Sequence, residues 1–496
     1  MSAADLAARV DRATAAPDAR HSLDRGSLRF ARTIALSIGI QGPTAGVIIG
    51  PAIIATIVGA PGALAQAIAL LAMAFVAYAF VRFTRAFNTS GSVYAFNASA
   101  VGPRYGFLSV WLLLLVYVSF ASGVFAASAD IAQTFFASLG LHAGWVWFAI
   151  VGAALAIVLA YLSIGLSSLI ILLLEGASIV LICVVGVAVL IKGGYHHQPL
   201  TVAPFRLHGL GLSALALGVV AAFGQFSGFE GAATLGEEAR RSTRTIPAAI
   251  AWSLIISAAV YIFFTWIVYN AYPTPAAVAA DPAPLVHVAR SYVSHGVGTA
   301  VNFAGMISAF GAQLALLNAA SRLVYALARE AGDGPATNLL SRTSRRHHSP
   351  IGALVVVGAL SLAGLLAFSF EPLATRAAAL TIQFGAYLLL VAYLLTVIGA
   401  LAWTWRTARR PLPIAVLVAG IAILGYILYR TFVPFPAAPF SWVVLAAAAG
   451  ALAGIAILFL PGLVGRLRSS ELLRVTTPNA ITEPVAAAQV LSVEEA

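Results

Sequence analysis

Apolar runs of about twenty residues recur along almost the whole chain, parted by short polar stretches. In hydrocarbon every backbone N–H and C=O must find its partner inside the protein, which leaves only helices and closed barrels. Barrel strands alternate apolar and polar residues over segments of about ten. These runs do not alternate. Charged residues make up 9% of the 496, against about 25% in soluble domains, and mean hydropathy is +0.96. The expected fold class is therefore an all-α polytopic membrane protein. Hydropathy gives about twelve transmembrane spans, at 33–58, 61–82, 106–135, 145–162, 165–191, 211–235, 247–271, 298–328, 351–369, 376–402, 412–430 and 441–461.

The net charge is +11 and the pI about 10.1, but no basic face interleaved with aromatics exists, so nucleic acid is not an expected partner. The charges follow topology instead. With a cytoplasmic N-terminus, 23 of the 28 Lys and Arg residues fall on the cytoplasmic side. Only Lys192, Arg206, Arg290, Arg376 and Arg430 fall on the other. Positive charge is retained inside, so both termini are expected in the cytoplasm, with the chain in the cell membrane. Residues 1–32 read as a cytoplasmic tail without a signal-peptide core, and 465–496 as a second polar tail. The lone Cys183 excludes an intrachain disulfide and reads as a small buried apolar group. The histidines at 195–197 and 347–350 read as solvated loops; no metal site and no cofactor is expected.

Two spans interrupt themselves. The first, SIGIQGPTAGVIIGPAIIATIV at 37–58, carries Gly39, Gly42, Pro43, Gly46, Gly50 and Pro51. The sixth, FGQFSGFEGAATLGEE at 223–238, carries Gly224, Gly228, Gly231 and Gly236, with Glu230 before Glu237 and Glu238. Proline removes a backbone donor and glycine loosens a helix. For one such span close helix packing is reason enough. Two of them five helices apart point to two inverted five-helix repeats, at 33–200 and 201–411, followed by two helices at 412–464.

A broken helix exposes backbone groups that must be satisfied beside a cavity, and the half-helix after the break begins at a positive dipole end. N–H groups of Thr44, Ala45 and Gly46 are thus candidates to hold a carboxylate, while carbonyls near Gly224 and Ser227 are candidates to accept from an ammonium group. Together the breaks suit an α-amino acid. Phe223 and Phe226 flank the second break and read as gate residues or, equally, as lipid-facing or packing residues; Tyr117, Gln383 and Tyr387 are further pocket candidates. Three acids lie within spans. Asp130 reads as a solvated end residue. Glu175 and Glu230 are candidates for proton coupling, since intramembrane acids are functional by default; for Glu230, capping of freed backbone donors is an equal alternative. A sodium site would want ligands such as Ser308 from spans one and eight, and nothing in the sequence argues for one. Arg240, Arg241 and Arg244 set topology, with Glu237 and Glu238 as their local partners.

Three stretches carry a family likeness: FSGFEGAATLGEEARRSTRTIPAAI at 226–250, SGSVYAFNASAVGPRYGFLSVW at 90–111 and NAASRLVYALAREAGDGP at 318–335. In this order the sequence resembles the permeases of the amino acid–polyamine–organocation superfamily. The resemblance implies twelve helices with spans one to five and six to ten as inverted repeats. It also implies a substrate site among spans one, three, six, eight and ten. Where the family carries a Gly-Ser-Gly-like turn, this chain has Thr44-Ala45-Gly46. The expected function is proton-coupled amino-acid uptake by alternating access, with a small-molecule substrate and protons as partners. The alternatives are an exchanger of amino acids or polyamines and, more remotely, a transport-dead nutrient sensor. A membrane enzyme is not expected, because no nucleophile–base pair appears among the spans.

Overall fold

The computed structural model describes Leu23 and residues 26–459 apart from 88, 138, 139, 208, 332, 333 and 408. The expected C-terminal tail and most of the N-terminal one lie outside the described residues. In chain order the helices are α1 (Phe30–Gln41), α2 (Pro43–Val58), α3 (Gly62–Ala86), α4 (Val93–Ala100), α5 (Pro103–Ala137), α6 (Trp145–Tyr161), α7 (Ile164–Lys192) and α8 (Leu212–Gln225). A 3-10 segment (Phe229–Leu235) follows. Then come α9 (Ser242–Ala271), α10 (Pro275–Ala280), α11 (Pro284–Tyr292), α12 (His295–Glu330), α13 (Pro335–Leu340), α14 (Ile351–Leu366), α15 (Ala374–Thr407), α16 (Pro411–Phe432) and α17 (Phe440–Ile457). No strand occurs among the described residues, only an isolated bridge between Leu28 and Ala239.

The all-α polytopic expectation holds. Among the described residues ten helical segments are long and apolar enough to cross a membrane, with α1–α2 and α8 plus the 3-10 segment each counted as one. Two more, α6 with 17 residues and α14 with 16, are apolar but shorter, and stand where spans four and nine were expected.

Packing pairs off across the chain. α5 packs on α15 as α7 packs on α12; α3 on α8 as α9 on α1 and α2; α5 on α6 as α12 on α14; α6 on α12 as α14 on α5. Exchanging the first five apolar segments with the next five maps each of these contacts onto its counterpart.

One expectation is corrected. Cys183 is exposed rather than buried. It lies on α7, whose most apolar window is only 33% buried, so the outward face of that helix is itself apolar. Between α9 and α12, the Pro- and Ala-rich stretch folds into α10 and α11. Leu285, Val286, Val288 and Ala289 of α11 are buried, and the helix packs against α2, α7 and α12.

Candidate functional site

Both interruptions are present, each on a left-handed glycine. Gly42 has φ 51° and ψ 56°; it ends α1, donating to Ile38 O and Gly39 O, and starts α2. A side chain is strained in that region. Pro43 follows at the first helical position, where an N–H would have no intrahelical partner anyway. The second break lies at Phe226–Gly228, after α8, and Gly228 has φ 106°. A Cβ on Gly228 would stand 2.3 Å from Ile40 Cγ2, so α1 touches the second break directly.

At the first break the predicted donors already have partners. Thr44 N donates to Glu175 Oε1 at 3.1 Å and Ala45 N to Ser308 Oγ at 3.2 Å. Gly46 N closes the first turn of α2 on Gly42 O at 2.9 Å. The helix end that suits an anion is thus capped by the chain's own carboxylate, brought by α7, and a hydroxyl, brought by α12. Glu175 is 3% exposed and its Oε2 has no hydrogen-bond partner; Thr44 Oγ1 and Gln41 Oε1 are likewise buried and unpartnered. Gln41 O, freed by the break, accepts from Tyr261 Oη of α9 at 2.7 Å.

At the second break Gly224 O accepts from Ser227 Oγ at 2.7 Å and from Ser227 N at 3.3 Å. Two residues expected to offer a free carbonyl and its neighbour therefore bond to each other. Ser37 of α1 spans the break: its Oγ donates to Phe229 O at 2.8 Å and accepts from Ala232 N at 2.9 Å. Glu230 gathers three elements. Its Oε1 accepts from Tyr117 Oη of α5 at 3.1 Å; its Oε2 accepts from Tyr393 Oη of α15 at 2.6 Å and from Gly228 N at 2.9 Å.

Phe223 and Phe226 are both buried, which removes a lipid-facing role. Phe223 sits edge-on to Tyr393 at 6.2 Å and Phe226 edge-on to Tyr261 at 5.3 Å. Each aromatic thus rests on the tyrosine that ties one break. Tyr387 turns elsewhere and packs on Phe432 of α16 at 5.5 Å; Gln383 is half-buried on the same helix. Asp130 is half-buried near the end of α5. Near the breaks, a Cβ at Gly224, or at the buried Gly311 of α12, would meet only open space within 4 Å. Gly311 O lies 3.7 Å from the Cβ position of Gly39, so that space adjoins α1.

The acids after the second break do not pair locally. Glu238 takes a bidentate grip from Arg322 of α12, at 2.5 and 2.9 Å, and Arg322 Nη1 also donates to Asn318 O and Oδ1 at 3.0 Å each. Glu237 is gripped by Arg329 at 2.6 and 3.0 Å and by Ser90 Oγ at 2.8 Å. Arg240, Arg241 and Arg244 are exposed. The local pairing read from sequence is therefore corrected: a buried acid takes the cation that folding brings, and α12 brings two. Burial pushes the Glu237 carboxyl up, but hydrogen bonds and charge from Arg329, helped by Ser90, outweigh it and hold it below the ordinary carboxylate range. Next to this pair, Leu28 N donates to Glu238 O at 3.0 Å and Arg240 N to Leu28 O at 2.8 Å.

Ser37, Tyr261, Tyr393 and Arg322 escaped the sequence reading. A tyrosine inside an apolar run carries a signal, because its buried hydroxyl needs an acceptor. Which acceptor is a property of the fold. Among the described residues no group of three or more His, Cys, Asp or Glu side chains is placed to hold a metal.

A family model described as amino acid permease matches residues 28–465. Among curated relatives, the branched-chain amino acid permease BcaP of Bacillus subtilis is 26% identical over 314 residues, covering 59% of this chain and 64% of that protein. BcaP of Lactococcus lactis subsp. cremoris is 28% identical over 291 residues, covering 53% and 60%. The low-affinity putrescine importer PlaP of Escherichia coli is 26% identical over 358 residues, covering 70% and 74%. The match thus spans less than two thirds of either BcaP. The family match takes in both interruptions and every candidate site residue named above, and the chain belongs to the amino acid permease family, within the amino acid–polyamine–organocation superfamily.

Proposed function

We propose that the chain is a secondary active transporter that takes up an amino acid with a proton across the cell membrane by alternating access, its termini in the cytoplasm. The observation that carries the reading is the pair of interrupted helices, each broken at a left-handed glycine and each tied by one buried carboxylate. The paired packing of the first and second sets of five apolar segments supports an inverted repeat, and the 23-to-5 split of Lys and Arg supports the orientation. Glu230, with three donors, acts mainly as the brace of the second break. Glu175, with one oxygen unpartnered, is the better proton carrier. Open packing beside Gly224 and Gly311, where a Cβ would meet no atom within 4 Å, is consistent with a site next to the breaks. The relatives BcaP and PlaP, named for a branched-chain amino acid and for putrescine, bracket the cargo class.

The test is uptake by purified protein in liposomes. Labelled amino acids and amines are offered with and without an inward proton gradient. Gradient-stimulated uptake of one class is the expected result. Uptake that requires internal substrate and ignores the gradient would make the protein an exchanger.

A further inference from the structure

The seat for a cargo carboxylate is occupied by the protein itself. The amino-terminal end of α2 offers about half a positive charge, and Glu175 uses it through Thr44 N. Ser308 takes the next donor and Gly42 O the third. A second carboxylate cannot join an ionised one there without strong repulsion at close range. Nor can it evict Glu175 cheaply, because the displaced anion would stay buried without a partner. Among the described residues no cation faces Glu175. From α9 it meets Tyr261 and from α12 Ser308; α2 presents Thr44. Arg32 and Lys192 stand near the two ends of α7, away from it. The unpartnered Oε2 is where a proton can be received.

The geometry points to Glu175 as a built-in competitor for the cargo's carboxylate: an amino acid reaches the end of α2 only when Glu175 is protonated, so proton and cargo bind together. This rests on the transport reading above and gives it a mechanism. A proton from solution neutralises Glu175, its hold on Thr44 N weakens from a charge-assisted to a neutral hydrogen bond, and the cargo carboxylate takes over the freed donor. On release the carboxylate leaves, the proton leaves, and Glu175 returns to its seat. An amine lacking a carboxylate makes no claim on that seat and has no need of the proton.

The test uses full-length protein in detergent. Amino acids are screened for binding by thermal shift. The best binder and the amine that lacks only its carboxylate are then measured by calorimetry between pH 5 and 8. Where Glu175 is ionised, the competent fraction falls tenfold per pH unit, so the amino acid's apparent Kd should rise by up to about tenfold per unit. The amine's Kd should not rise. Glu175→Gln keeps an acceptor for Thr44 N but mimics the protonated acid; its amino-acid Kd should be flat with pH and tighter than wild type at pH 8. Proton uptake per bound amino acid, read in weak buffer, should approach one in wild type and vanish in this variant. Ser308→Ala, which leaves the charge in place, should keep the slope. A flat wild-type profile, or a slope surviving in Glu175→Gln, overturns the proposal and leaves the transport reading standing. If no amino acid binds at any pH, the transport reading falls and takes the proposal with it.

Discussion

Removing either member of the Arg322–Glu238 pair should cost about 3–5 kcal/mol, because the survivor becomes a buried charge without compensation. Arg322 is 1% exposed and Glu238 equally so, and the guanidinium spends four hydrogen bonds on Glu238 and Asn318. A loss of that size is a large share of a typical stability of about 5–15 kcal/mol. Arg322→Ala and Glu238→Ala should each reduce folded yield sharply. The double variant Arg322→Met with Glu238→Leu should recover most of it, since no lone charge remains. Arg240→Ala, Arg241→Ala and Arg244→Ala should be close to neutral, being exposed and unpaired with Glu238. The assay is a denaturation series in mixed micelles, with monodispersity by size exclusion as the check on folding. Equal costs for Arg240→Ala and Arg322→Ala would refute the reasoning, and so would a double variant as damaged as the two singles combined.

Tyr393→Phe deletes the 2.6 Å hydrogen bond to Glu230 and should cost about 1–3 kcal/mol, visible as a lower melting temperature with uptake slowed more than binding. Gly228→Val should abolish substrate binding, because φ 106° and Ile40 at 2.3 Å leave no place for a side chain; normal membrane insertion with normal affinity would contradict this. Glu237 has a depressed folded-state pKa, so its ion pair contributes stability above the unfolded carboxylate value of roughly 4.3 and loses it as pH falls through the folded value. Glu237→Gln should therefore destabilise at pH 7 and make progressively less difference on acidification, in the same denaturation series.

The sequence was most informative where physics acts along the chain. Hydropathy located the apolar helices to within a few residues, since lipid leaves the backbone no option but internal hydrogen bonds. Gly42-Pro43 marked the first interruption, because a left-handed glycine before a proline can hardly be anything but a helix boundary. Hidden from it was everything set by proximity across the fold. Thr44 was legible as a donor and Glu175 as a buried acid, yet 131 positions separate them. The same holds for Ser37, an unremarked hydroxyl in an apolar run until α1 carries it across to Phe229 and Ala232. Glu238 was assigned to neighbouring arginines because sequence offers only neighbours; Arg322 lies 84 positions on.

The Leu28–Ala239 bridge and the two bonds of Ser37 join α1 to the 3-10 segment and its following loop at both ends of their contact. Those two pieces are consequently one lever on two pivots, Gly42 and Gly228. A swing about one pivot alone would shear four hydrogen bonds, which couples the two interrupted helices to each other. That coupling begins before the first apolar helix, in a backbone stitch at Leu28 that a shortened amino terminus would cut.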